Sequence, residues 1–302
     1  MRGKSEAFMH ASSPQKWLGV HGLEHWTHYY TDYGVALQRE FFDHFLKGED
    51  NGWDKRPPVL LYVRHVDGFV LRAENEFPIA RTVWTMATLD AADLSMSLDG
   101  RTPASDASAS FTAKQDRIVF RTAPFTEETE FTGPMVAKLF VSSSTSDAEV
   151  FVNVHLFDPD GVEVTFQGAV DPQTPIGQGW LRASQRKLDA ARTLPYRPFH
   201  AHGGVQPLVP GVVYELDIEI WVTCIVVPAG YHLALSVAGS DYEAEGEGEV
   251  IPNFNNELKG SGPYIHIDLD DRPDAVYAGT TTVHTGPDRA EYLLLPVIPP
   301  KP

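Results

Sequence analysis

The chain of 302 residues has a single cysteine, Cys224, which excludes an internal disulfide and any zinc-finger spacing. Cys224 lies in an apolar run, Val222 to Val227, and reads as a small buried hydrophobe. Long hydrophobic runs are missing as well, and no stretch approaches the length of a membrane span. The opening residues, Met1 to Phe8, contain no apolar core of the signal-peptide kind. With the lone cysteine, this fits a reducing cytoplasm. Basic residues are scarce, 24 Lys and Arg against 41 Asp and Glu, giving a formal net charge of −17. A surface this acidic repels phosphate backbones and anionic membranes, which sets aside nucleic acid and membrane as partners. Two motifs are also absent. No HExxH occurs, and no Gly-x-Ser-x-Gly; Gly239-Ser240 and Gly260-Ser261-Gly262 lack the spacing of a nucleophile elbow. No cofactor is expected.

What the chain does have is turn residues and alternation. Its 24 Gly and 23 Pro are scattered singly, as many short strands joined by turns require, and that much proline argues against a helical bundle. Val150, Val152, Val154 and Leu156 alternate with Asn153 and His155. The same period of two runs through Val162–Phe166, Tyr214–Ile220, Leu233–Val237 and Ile265–Leu269. Half-buried antiparallel strands need this pattern, because successive side chains face opposite sides. Turns such as Asp158-Pro159-Asp160-Gly161 and Pro228-Ala229-Gly230 separate the strands. The expectation is a mainly β fold of roughly ten strands, most simply a jelly-roll sandwich of the galactose-binding-like kind. Residues 99–115 and 239–263 read as long loops.

Residues 1–56 differ in character from residues 57–302. Lys16 to Val20 reads as a short buried strand that ends in a His-rich loop. A helix is predicted over Tyr33 to Lys47, capped by Thr31 or Asp32 and stopped by Gly48. Leu37, Phe41, Phe42 and Phe45 form its predicted core-facing stripe. Arg56-Pro57-Pro58 is a stiff linker into the strand-rich remainder of the chain.

The loop from His21 to Tyr30 holds the densest set of catalytic residue types. Its three histidines, His21, His25 and His28, could ligate a metal from one helix face, but Gly22 and the aromatic residues argue against a regular helix there. A histidine directly after a buried strand is also where an α/β-hydrolase places its general base. Asp158 to Gly161 is read as a hairpin turn in preference to a calcium loop, because the remaining ligands are missing. The acidic run Asp241 to Glu249 is read as a solvated loop, and His200 with His202 lacks a third ligand.

Lys16-Trp17-Leu18, His21-Gly22, Trp26 and Tyr30 resemble the end of the catalytic domain in the CocE/NonD hydrolases, the cocaine-esterase and X-prolyl dipeptidyl-peptidase family. Gln38 to Trp53 resembles that family's phenylalanine-rich helix and its exit turn. Leu139 to Ser144, Asp158 to Gly161, Gly179 to Ser184, Pro228 to Leu233 and Leu295 to Pro299 are similar to its jelly-roll signature. The resemblance implies that residues 1–56 are the remnant of an α/β-hydrolase domain and residues 57–302 a C-terminal jelly roll. It also implies esters or X-Pro peptides as substrates, a Ser-Asp-His triad, and His21 or His25 as the base. In that family the serine and the acid precede the histidine, so both are expected upstream of Met1 and the chain alone is expected to be inactive. The implied partner is the α/β-hydrolase portion, carried on an upstream segment or a separate chain, with a homo-oligomer as another way to cover the aromatic helix. The competing reading is a free-standing β-sandwich module that binds carbohydrate or a protein. The aromatic helix speaks against it, because an independent module has no use for one.

Overall fold

The computed structural model describes residues 2–24, 26–250 and 256–300. Helix α1 (Arg2–His10) leads into β1 (Leu18–Val20), α2 (Thr27–Tyr30) and α3 (Asp32–Lys47). The β-rich part opens with β2 (Val59–His65), β3 (Gly68–Glu74), β4 (Val83–Asp90), β5 (Ser95–Ser97), β6 (Ala107–Thr112) and β7 (Arg117–Arg121). It continues with β8 (Thr129–Ser143), β9 (Glu149–Phe157), β10 (Gly177–Arg182), β11 (Tyr214–Val227) and β12 (His232–Ala238). The short helix α4 (Asp274–Tyr277) precedes β13 (Thr280–Thr285) and β14 (Tyr292–Ile298). These strands form one mixed 14-stranded network.

Its spine is the antiparallel pair β8–β11, registered from Tyr214↔Val141 to Val227↔Thr129 with a bulge between Ile220 and Thr223. Strand β9 pairs with β10 and β12, and neither β9 nor β12 is a ladder neighbour of β8 or β11. Yet Val152 and Val154 of β9 and Leu235 of β12 share one buried cluster with Leu139 of β8 and Ile218 of β11. The network therefore folds over on itself, with the main core between its layers. Strand β10 lies close against β11. A Cβ on Gly179 would stand 2.2 Å from the carbonyl oxygen of Glu219, so only glycine lets β10 lie against β11.

A second core places the N-terminal residues. Strand β1 pairs with β2 in parallel, Leu18↔Val59 through Val20↔Leu61. Leu18, Val20, Leu61 and Val63 bury against Val222, Cys224 and Val226 on the outer side of β11. Each such aliphatic side chain contributes about 1.5–3 kcal/mol on burial, which is what holds the strand that carries the histidine loop. Cys224 is buried as expected, and burial pushes its thiol up to about 11.

Several local expectations are corrected. Ile265–Leu269 forms no strand, and Ile267 and Leu269 are exposed. Val162–Phe166 makes only isolated bridges, through Glu163 and Phe166. The supposed loop 99–115 contains β6, which pairs with β13. The stripe of α3 does not face a core: among that helix's residues only Gly34 and Asp43 are buried.

Candidate functional site

The helix boundaries follow from their caps. Thr31 Oγ1 accepts from Gly34 N at 3.1 Å and donates to His28 O at 2.8 Å, which fixes the corner between α2 and α3. At the other end Gly48 takes the left-handed conformation, φ 71°, and its N–H donates to the last-turn carbonyls of α3. Asn51 Nδ2 then donates to Glu40 O at 2.7 Å, and its Oδ1 accepts from Trp53 N. This turn brings Trp53 under the helix, with Phe41 5.1 Å and Trp17 5.5 Å from its ring.

Between α1, α3 and the β1–β2 pair lies a groove of about 800 Å³. His21, the first residue after β1, lines it together with His28, Tyr33 and Tyr62. The rings of His21 and His28 stack with centroids 4.1 Å apart and planes at 18°. Tyr33 and Tyr62 flank His28 at 5.3 and 6.0 Å. Burial, helped by the charge of Lys4, holds His28 below its ordinary range, so its neutral form dominates at pH 7. A nearby neutral ring accommodates a charge on His21 that a second imidazolium would repel.

The histidine loop is fixed from both sides. A Cβ at Gly22 would meet the ring of Phe69 at 2.0 Å, and one at Gly34 would meet His28 O at 2.1 Å. His25, the other predicted base, lies outside the described residues. No carboxylate lines the groove among the described residues, and its serine, Ser13, is committed to a local turn with Gln15. Among the described residues, the groove thus presents two imidazoles and no free serine or carboxylate.

Beyond the groove, α3 shows solvent a run of apolar side chains. Phe42 is 51% and Leu46 77% exposed, with Val35 exposed as well, while Phe41 and Phe45, which line the groove, are partly open at its rim.

Elsewhere, Ser236 Oγ lies 2.8 Å from His155 Nε2, and His155 Nδ1 lies 2.6 Å from Glu163 Oε1. This is the hydrogen-bond order of a hydrolase triad. However, Ser236 is 1% and His155 4% exposed, and Tyr242 closes over Glu163 with its hydroxyl 3.0 Å away. No carbonyl can reach that serine, so the chain of hydrogen bonds clasps the loop after β12 to the sheet. Asp158 is likewise spent on its turn, accepting from Asp160 N and Val162 N.

The family model of the X-Pro dipeptidyl-peptidase C-terminal non-catalytic domain matches residues 51–294. The chain belongs to this family. X-Pro dipeptidyl-peptidase C-terminal domains of this type occur in CocE/NonD hydrolases, and one of these, from Staphylococcus aureus, matches with a TM-score of 0.85 at 26% identity. That match covers 98% of this chain, and so takes in β1 and α3, and 51% of the Staphylococcus chain. The cocaine esterase of Rhodococcus sp. is 21% identical over 300 residues, 87% of this chain and 46% of its own length. A Mycobacterium bovis protein carried under a serine-esterase name is 27% identical over 239 residues, 67% of this chain and 35% of its own length. The chain thus spans about half or less of the length of these relatives. Among the described residues no helix is long and apolar enough to cross a membrane.

Sequence reading places a histidine at the end of β1 but misses its surroundings. In the sequence His28 is only one more histidine of a cluster, and Tyr62 only a strand residue. Gly34, an odd choice in the first turn of a helix, is the one local signal that the preceding loop packs tightly there.

Proposed function

We propose that this chain is the C-terminal half of a serine hydrolase of the esterase or X-Pro dipeptidyl-peptidase type, with His21 as the general base. The nucleophilic serine and the acid come from polypeptide that docks over α3. The observation that carries this reading is the exposed aromatic face of α3 beside the groove that holds His21. An independent binding module gains nothing from such a face, whereas a chain that spans half of its relatives' length has a companion to put there.

On this reading, residues 1–56 are the end of an α/β-hydrolase domain. The parallel crossover from β1 through α2 and α3 to β2 supports it, because such crossovers are how α/β sheets are built. Residues 57–302 are a galactose-binding-like jelly roll, supported by a core shared between strands that are not ladder neighbours. In the completed site the serine attacks the carbonyl of an ester or X-Pro peptide, and His21 takes its proton and returns it to the leaving group. The acid holds the imidazole in the productive tautomer. The jelly roll walls the cleft.

The test is labelling of the purified chain with a fluorophosphonate, alongside turnover of a nitrophenyl ester and an X-Pro anilide. The expected result is neither labelling nor turnover. Stoichiometric labelling with turnover would mean that a serine of this chain is the nucleophile, and the proposal would fall.

A further inference from the structure

Among the described arginines that are not exposed, all but one are well partnered. Arg72 pairs with Glu130 and Glu74, Arg182 with Glu149 and Asp271, and Arg197 with Glu6. Arg56, Arg81, Arg272 and Arg289 are paired in the same way, and Arg186 donates to two backbone carbonyls. These are all the other described arginines that are not exposed. The exception is Arg64. It sits near the end of β2, half-buried, with its guanidinium over the ring of Phe166 at 4.5 Å. No carboxylate of the described residues reaches it, and its one titratable neighbour is the Cys224 thiol. That thiol is itself held neutral by burial and supplies no counter-charge.

A half-buried guanidinium without a carboxylate partner is costly, because the part of its hydration that is lost is not replaced. Desolvation pulls Arg64 down to about 10, and the group is still a cation at neutral pH. Its position indicates where a counter-charge would come from. Side chains two apart on a strand share a face, so Arg64 follows Leu60 and Tyr62 on the face that lines the groove. Phe69 lies directly opposite Arg64 on β3, and the Phe69 ring covers Gly22, next to His21. Phe69 and Leu71, which share that face, are exposed along the strand. The unpaired cation is therefore at the margin of an apolar surface continuous with the His21 loop.

We propose that Arg64 is the anchor for a carboxylate carried by the polypeptide that docks on this face, an Asp or Glu flanked by apolar side chains. The inference rests on the reading that a further segment covers the groove. Arg64 supplies the polar fixed point and the exposed residues of β3 the apolar surroundings, an arrangement in which one ion pair sets register and burial supplies affinity.

The test uses thermal melts of the whole chain at pH 7.5 and constant ionic strength. The probes are sodium acetate, a capped phenylalanine–glutamate–phenylalanine tripeptide and its glutamine counterpart, each against sodium chloride. The glutamate peptide is expected to raise the melting temperature more than the glutamine peptide or acetate does. Arg64→Met is expected to abolish that difference. In chloride the variant should melt about 3 °C higher than the parent, because it removes an unpaired, half-buried charge. A variant that melts lower in chloride, or a glutamate peptide no better than its glutamine counterpart, overturns the proposal. Acetate as effective as the peptide would show a carboxylate site without docking, which sinks the docking part alone. Fluorophosphonate labelling of the chain, by contrast, would sink the reading of the function and leave the charge pairing of Arg64 untouched.

Discussion

Gly34 packs against the carbonyl oxygen of His28 so closely that a Cβ would lie 2.1 Å from it. The obstacle is backbone on one side and a capped helix start on the other, so neither can yield cheaply. Gly34→Ala is expected to open the corner between α2 and α3 and to pull His28 off His21. The overpacking should cost about 1–3 kcal/mol. Thermal melts would show the loss, and imidazole proton resonances would show the end of the stack. An unchanged melt with unchanged ring shifts would refute the packing argument.

The exposed face of α3 gives a prediction in the opposite sense. Phe42 and Leu46 make little contact with the rest of this chain, so Phe42→Lys with Leu46→Glu should change stability by less than about 0.5 kcal/mol per site. The double variant should bind less of an apolar dye and self-associate less, measured by dye fluorescence and light scattering. A large drop in melting temperature would mean that the face is already covered within the chain.

Two histidines should answer pH in opposite directions. His266 Nδ1 lies 2.9 Å from Asp241 Oδ1, a partnership that raises His266 above its ordinary 6.5. Its contribution is complete below pH 6.5 and is lost as pH rises through the raised value. Being partly exposed, the pair is worth under about 1 kcal/mol. Asp241→Asn should therefore lower the urea midpoint at pH 5.5 and have a smaller effect at pH 8.5. His28, held low mainly by burial, destabilises as pH falls below 6.5, because there the unfolded chain takes up the proton more readily. His28→Phe should flatten that acid limb. A midpoint difference for Asp241→Asn that grows with pH would contradict the assignment.

At the contact of β10 with β11, Gly179→Ala would force a methyl to 2.2 Å from Glu219 O, backbone against side chain in a buried layer. A loss of about 3 kcal/mol or more is expected. Trp180 and Trp221, with ring centroids 5.4 Å apart across that junction, provide the readout. Their emission should shift in step with the melting temperature, whereas unaltered emission would place the strain elsewhere.

The strands were legible wherever alternation coincided with free backbone. Ile265–Leu269 alternates just as well and is no strand, because its backbone is claimed by side chains. Asp241 Oδ2 accepts from His266 N at 2.7 Å, and Arg272 takes His266 O, so the ladder has nothing to pair with. Ala107 to Thr112 failed in the other direction. Its small residues look like a loop, but they suit a strand pressed against the threonines of β13. Thr31 and Gly48 announced α3 at both ends, while the direction of its aromatic face was not legible. Periodicity reports that a face is apolar and does not reveal what lies opposite it. The site was legible as a histidine at the end of a strand. Tyr62 was not, because it meets the groove only through the parallel pairing of β1 with β2.

The bulge in β11 restricts where this strand can change length. Leu216, Ile218 and Ile220 face the main core at even positions, whereas Ile225 and Val227 face it at odd ones. The switch takes place across Trp221 and Val222, where β11 spends three steps against two on β8. Removing Trp221 would restore an ordinary ladder and leave Ile225 and Val227 facing inward. Removing one residue anywhere else in the strand would invert a set of core side chains. When relatives of this chain are aligned, a single-residue gap in this strand should therefore fall at 221–222.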